Sequence, residues 1–270
     1  MTGGYPYSVL MSVYAGESAV NLRQSIDSVF AQEFPPDDFV LVIDGPVPPA
    51  LEETVNSYPK VRTVRLSENM GLGAALNEGL KSTRYDIVAR MDSDDVALPS
   101  RMGKEYAKIQ SGLDIVSSAV LEFEADTSNI TGRRDLPVTQ EDIISFSRKR
   151  NPFNHPSVMY RKEAVTAAGG YTSDYPLFED YDLWIRMLQN GARAANIEEP
   201  LLLMRTDEGM FLRRGGKRYG RIMLDFHRHL LDTGWTSRKI YLTGAVPHYI
   251  VCVMPEPVRR LVYRRLHRKR

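Results

Sequence analysis

Cysteine is almost missing: the 270 residues contain one, Cys252. A lone cysteine closes no intramolecular disulfide, which fits a reducing compartment. Long apolar runs are missing too. No stretch approaches the roughly 18 uncharged apolar residues of a membrane span, and the best, Tyr249 to Met254, is far too short. Met1 to Val9 lacks the basic segment and apolar run of a signal peptide. The expectation is a cytoplasmic protein. An excess of one charge is also lacking. Lys plus Arg is 35 and Asp plus Glu is 34, which argues against a nucleic-acid binder. There is no internal repeat and no low-complexity tract.

What is present is alternation. Tyr7–Tyr14, Phe39–Ile43, Val61–Leu66 and Asp86–Met91 are apolar runs of strand length. Between them lie helical spacings: Ala19, Leu22, Ile26, Val29 and Phe30; Leu51 and Val55; Leu72, Ala75, Leu76, Gly79 and Leu80. Strands alternating with helices predict βαβ units and a mostly parallel sheet. The second half is less regular. Strands are expected at Asp114–Leu121 and Pro156–Tyr160, a helix capped by Thr139, a helix over Glu179–Asn190 closed by Gly191, and extended chain over Ala192–Met204. From Thr206 onward the chain reads as helical and basic.

Parallel α/β sheets bind ligands beyond the carboxyl ends of their strands. Those positions hold Tyr14 to Glu17, Asp44, Ser67 to Asn69, and Asp92 to Asp95. The last is the most acidic, with carboxylates at Asp92, Asp94 and Asp95. Residues i and i+2 at a strand end point the same way, so Asp92 and Asp94 can face one cation. Hard oxygen ligands favour magnesium, manganese or calcium. The plain alternative is a solvated acidic loop before a helix that has Pro99 in its first turn.

Four segments, taken in order, resemble the family 2 glycosyltransferases with the GT-A fold: Val9-Leu10-Met11-Ser12-Val13-Tyr14, Val40-Leu41-Val42-Ile43-Asp44-Gly45, Glu68 to Gly79, and Met91-Asp92-Ser93-Asp94-Asp95. The likeness covers about residues 7–205. It implies a Rossmann-like, mostly parallel sheet flanked by helices, and sugar transfer from a nucleotide donor with inversion. It also implies Mn²⁺ or Mg²⁺ as cofactor. Tyr14 and Glu17 would line the base and ribose site, Asp44 would contact the base, and Asn69 would lie on the donor side. Asp92 would contact ribose or metal, and Asp94 would ligate the metal. Read without the resemblance, Tyr14 is a strand-end aromatic, Asp44 a turn initiator, and Gly71 and Gly73 loop punctuation.

Inversion needs a base for the acceptor hydroxyl. Phe178-Glu179-Asp180-Tyr181-Asp182 resembles the family's Glu-Asp motif, which makes Asp180 the candidate base with Glu179 beside it; acids favoured in a first helical turn are the alternative. Trp184 and Leu188 read as core. His155 could touch acceptor or diphosphate, or be a buried structural histidine. Arg205, Arg213, Arg214 and Lys217 lie in or beside the glycine-rich stretch Gly209 to Gly216, which could fold over the diphosphate or be a solvated basic linker.

No Gln-x-x-Arg-Trp and no membrane span are present, unlike the processive synthases. The chain resembles the short bacterial enzymes that add one sugar to capsule, exopolysaccharide or O-antigen units. The implied partners are a nucleotide-sugar, UDP-linked by preference, and a glycan acceptor carried on undecaprenyl diphosphate. Residues 1–205 would form the catalytic domain and residues 206–270 a basic helical extension. Pro255 to Arg270 has the pattern of a basic amphipathic helix that could lie at the inner face of the cell membrane. Two other functions fit less well. A nucleotidyltransferase needs a basic glycine-rich loop after strand one, where this chain has Glu17. An inactive scaffold would have lost Asp92, Asp94 and Asp180.

Overall fold

The computed structural model of the protein describes residues 6–206 and 215–254. Strands β1 (Ser8–Tyr14), β2 (Asp38–Asp44), β3 (Arg62–Arg65) and β4 (Ile87–Asp92) are joined through helices α1 (Ala19–Phe30), α2 (Pro49–Asn56) and α3 (Leu72–Ser82). They pair in parallel in the order β3-β2-β1-β4. The sheet then continues through β8 (Met159–Arg161), β6 (Ile115–Phe123), β9 (Ala194–Arg205) and β5 (Val96–Ala97), with β7 (Ile130–Arg134) on β6. The longest of these later pairings, β6 with β9, is parallel. Those made by β8, β7 and β5 are short and antiparallel. The expected mostly parallel α/β sheet is therefore present, extended by antiparallel pieces.

Strand alternation builds two cores. Val9, Met11, Leu41, Ile43, Ala89 and Met91 face α1, α2 and α4 (Arg101–Gln110). Leu10, Val40, Val42 and Val88 face α3 and α7 (Glu179–Gln189), whose Leu183, Trp184 and Leu188 are buried as the sequence suggested. A third cluster joins the other face of α7 to α8 (Gly216–Asp232) through Tyr181, Ile185, Met223, Phe226 and Leu230.

Local signals behaved as their chemistry requires. Thr139 caps α5 (Gln140–Ser147), accepting from Asp142 N at 3.3 Å and donating to Asp142 Oδ2 at 2.7 Å. Gly191, at φ +85°, stops α7. One expectation shifts. Instead of a strand from Pro156, a 3₁₀ turn spans His155–Ser157 and the strand starts at Met159. Pro156 has no N–H to offer a sheet, and Ser157 Oγ already bonds Ser117 and Ser118. The short α6 (Lys162–Ala167), β5 and β7 carried no periodicity long enough to read.

Candidate active site

The parallel register sets the first cluster. Tyr14 pairs with Asp44 and Ser12 with Asp92, so the three strand ends form one edge. Tyr14 is 52% exposed, and its ring lies over Gly16, where a Cβ would come within 2.5 Å of it. An exposed flat ring at a strand end is a stacking platform. Asp44 is buried, and its two oxygens accept from Met70 N at 2.7 Å and Gly71 N at 3.0 Å. Asn69 Nδ2 reaches Asp44 O at 3.4 Å. The Asp44 carboxylate thus shapes the loop entering α3, where Gly71 adopts φ +86°, a region costly for a residue with a Cβ.

The acidic loop is tied to its surroundings at several points. Ser25 Oγ donates to Asp92 O at 2.9 Å. Ser93 Oγ donates to Glu17 Oε2 at 3.3 Å, which links the first and last strand ends. Immediately after the loop, β5 pairs with β9, bringing in Arg205. Arg205 N donates to Asp95 Oδ1 at 2.7 Å, and its Nε to Asp94 O at 2.9 Å. Its guanidinium lies 4.5 Å from the Phe123 ring centre and also bonds Gln24 Oε1 at 2.7 Å. Arg205, read from sequence as a diphosphate contact, therefore holds the acidic loop instead.

Asp92, Asp94 and Asp95 each place a carboxylate oxygen within 4.8 Å of the others. Burial, Asp92 and Glu17 push the Asp94 carboxyl up to about 7. Burial and the two neighbouring acids push Asp95 well above the usual carboxylate range. Asp95 Oδ2 is buried without a hydrogen-bond partner. Three crowded carboxyls, one with an orphaned oxygen, are the donor set a hard divalent cation would satisfy.

The second cluster lies at the start of α7. Asp180 Oδ2 accepts from Asn151 Nδ2 at 2.6 Å, and Oδ1 from Tyr181 N at 2.7 Å. His155 Nδ1 is 3.9 Å from Asp180 Oδ2, and its Nε2 is 3.0 Å from the Tyr171 hydroxyl. Burial and the Arg90 charge hold His155 well below its ordinary pKa, so it is neutral and stays beside Asp180. Glu179 is raised by burial and by Asp180, and its Oε2 is buried without a partner. Leu177, just before it, sits at φ +72°, a strained position that sets the helix entry. Gly73 lets α3 approach closely: a Cβ there would be 3.3 Å from Tyr171 and 3.6 Å from Glu179.

The structure thus gathers Tyr14, Glu17, Asp44, Asn69, Asp92 and Asp94 at one edge, and Glu179, Asp180 and His155 in a second group. Arg213 and Arg214 lie outside the described residues. Lys217 is exposed on the first turn of α8. Sequence reasoning missed two side chains: Asn151 as the donor to Asp180, and Arg90, whose Nη2 donates to Asp92 Oδ1 at 2.5 Å. For Arg90 a signal existed, since a charged residue inside the apolar run Ile87–Met91 requires a buried partner.

The chain matches the model for glycosyl transferase family 2 over residues 8–167. It is 31% identical over 268 residues to the UDP-Gal:alpha-D-GlcNAc-diphosphoundecaprenol beta-1,3-galactosyltransferase of Escherichia coli, covering 97% of each chain. It is 34% identical over 263 residues to the amylovoran biosynthesis glycosyltransferase AmsE of Erwinia amylovora, covering 95% of this chain and 97% of that one. In fold it resembles S. aureus TarS 1–349 solved with UDP-GlcNAc, at a TM-score of 0.64 and 17% identity, over 81% of this chain and 64% of that one. This chain belongs to glycosyltransferase family 2, has the GT-A fold, and is a glycosyltransferase.

Proposed function

We propose that this enzyme moves a hexose or N-acetylhexosamine from a UDP-sugar, with inversion, to a glycan acceptor carried on undecaprenyl diphosphate. The observation that carries the reading is the pair of carboxylate clusters, Asp92-Asp94-Asp95 and Glu179-Asp180. The names of the two relatives supply the substrate class and make UDP-Gal the first donor to test.

The roles assigned are those the family resemblance implies. Tyr14 stacks on the base. Asp44 and Asn69 border the base through the loop they shape, and Glu17 faces the ribose beside Ser93. Asp180 takes the proton of the acceptor hydroxyl as that oxygen bonds to the anomeric carbon. The bond from that carbon to the diphosphate breaks, and UDP leaves with the electron pair. Asp92, Asp94 and Asp95 would hold Mn²⁺ or Mg²⁺, which supplies positive charge for the departing diphosphate. The sequence reading of Arg213 and Arg214 as diphosphate-binding guanidinium groups falls outside the described residues.

A donor panel of UDP-Gal, UDP-Glc, UDP-GlcNAc, UDP-GalNAc and GDP-Man with Mn²⁺, scored by nucleoside diphosphate release, tests this. One UDP-sugar is expected to turn over. Release of pyrophosphate, or binding of no donor, would overturn the reading.

Residues 1–205 are assigned to catalysis and 206–270 to an extension that docks on α7 and contacts the membrane. Among the described residues no helix is long and apolar enough to cross a membrane. The support is a ridge. After α9 (Arg238–Ile240) comes a π turn, Tyr241–Ala245, and then α10 (Val246–Val253). A π turn is wider than an α turn and helps align Leu242, 62% exposed, with Ile250, 50% exposed. The inner side, Ala245, Tyr249 and Cys252, packs towards α8, where a Cβ on Gly220 would come within 3.1 Å of Tyr249 and 3.3 Å of Cys252. Lys217, Arg218 and Arg221 are exposed nearby. Residues 255–270, outside the described set, carry seven Lys and Arg and one acid, Glu256. Apolar residues flanked by cations suit an anionic lipid surface. Leu242→Asp with Ile250→Asp is expected to weaken binding to phosphatidylglycerol vesicles by about tenfold or more, with donor hydrolysis kept. Equal pelleting of both proteins would sink the idea.

A further inference from the structure

Asparagine is a poor residue for a helix interior, because its amide competes for backbone partners. Asn77 nevertheless stands in the second turn of α3, half-buried. Its amide bonds a residue 94 positions away: Oδ1 accepts from Tyr171 N at 2.9 Å, and Nδ2 donates to Tyr171 O at 2.8 Å. One side chain thus holds both main-chain groups of one residue, which fixes where the Tyr171 ring can point. The turn before Tyr171 is shaped for this grip. Gly169 and Gly170 adopt φ +86° and +71°, and a Cβ on Gly170 would come within 2.7 Å of Asn77 Oδ1. On the other side Arg186 Nη2 donates to Gly170 O at 2.7 Å, and Arg186 Nε pairs with the buried Asp182 at 2.7 Å. The turn is therefore clamped between α3 and α7.

The clamp aims a hydroxyl. Tyr171 is buried, and its hydroxyl shares a hydrogen bond of 3.0 Å with His155 Nε2. The His155 ring is walled by Tyr171 and Trp184, whose ring centres lie 5.6 and 5.8 Å away. Its Nδ1 is 3.9 Å from Asp180 Oδ2, the oxygen that also accepts from Asn151 at 2.6 Å. The imidazole is therefore one wall of the Asp180 site, and its own position depends on Tyr171.

The same helix starts at the donor side. Asp44 bonds Met70 N and Gly71 N where the chain enters α3, about 9 Å of helix before Asn77. We propose that Asn77 is a positioning residue for the transfer: by gripping Tyr171 it sets His155 against Asp180, and it does so from the helix whose entry Asp44 fixes. The proposal rests on the reading of Asp180 as the base. A merely structural Asn77 would hold the turn and contribute to melting temperature, with no selective effect on the chemical step.

The test is a double-mutant cycle of Asn77→Ala and Tyr171→Phe. The readouts are kcat and KM for UDP release from the donor that the panel selects, with UDP affinity by calorimetry. Tyr171→Phe keeps the ring and the main-chain bonds to Asn77 and removes only the hydroxyl. Each single variant is expected to lower kcat by roughly tenfold, with UDP affinity unchanged. Both break one line of contacts, so the double variant should fall no further, whereas independent effects would multiply to about a hundredfold. Multiplied effects, wild-type kcat in either single variant, or lost UDP affinity with kcat kept would overturn the proposal. If Asn77→Ala does not fold, Asn77→Asp replaces it in the cycle, since it still accepts from Tyr171 N and lacks the donor to Tyr171 O. Wild-type turnover in Asp180→Asn would instead remove the base assignment, whichever way the cycle comes out.

Discussion

Asp180→Asn is expected to lower the turnover of glycosyl transfer by roughly 10²–10⁴-fold, the usual range for a general base, with nucleotide-sugar affinity almost unchanged. The substitution is nearly isosteric, and its single amide oxygen can keep one of the two bonds now made to separate carboxylate oxygens, from Asn151 Nδ2 at 2.6 Å or from Tyr181 N at 2.7 Å. What it removes is the lone pair that takes a proton. Donor affinity should survive because the residues assigned to the donor sit at the β1, β2 and β4 ends, on other elements. Glu179→Gln is the informative control. Burial and Asp180 raise the Glu179 carboxyl above its ordinary value, and the base is assigned to its neighbour. Loss of the Glu179 carboxyl should therefore cost much less. Single-turnover rates at saturating donor, with donor affinity from calorimetry, separate these cases. An Asp180→Asn enzyme with wild-type turnover would move the base to another residue.

The strand ends were legible because they follow from local pattern. Apolar runs of strand length placed β1, β2 and β4 within a residue or two, and the ligand edge follows once the strands are parallel. Asp92 and Asp94 were visible for the same reason. The parts that escaped depend on pairing between distant segments. Arg205 looked like a free cation in a glycine-rich stretch. Only the β5–β9 pairing, across more than a hundred residues, reveals that it holds the acidic loop. Asn151 and Asp180 meet through the packing of α7 against the segment before β8, and no spacing in the chain encodes that contact. Arg90 is the intermediate case. Its strangeness was local, a charge inside an apolar strand, but its pairing with Asp92 appears only in the structure.

The second large effect concerns the acidic loop and pH. Asp94→Ala is expected to abolish stabilisation by Mn²⁺ and to lower turnover by roughly 10²–10³-fold, the several kcal/mol a cation supplies to a leaving diphosphate. In the wild type the same site should compete with protons. The Asp94 carboxyl is pushed up to about 7 by burial, Asp92 and Glu17, with Arg205 partly opposing. The cation needs the ionised form, so Mn²⁺ affinity should fall as pH drops through about 7. The stability of the cation-free protein runs the other way. A carboxyl whose folded value lies above its unfolded value disfavours folding once ionised. The contribution of Asp94 is therefore most favourable in acid, and it declines as pH rises from the unfolded value to about 7. Added Mn²⁺ relieves that repulsion where it is greatest. The Mn²⁺-induced rise in melting temperature should then be clearly larger at pH 8 than at pH 6, and absent at both in Asp94→Ala. Equal rises at the two pH values would mean that the cation is held elsewhere. A rise surviving in Asp94→Ala would leave Asp92 and Asp95, with the orphaned Oδ2 of the latter, as sufficient ligands.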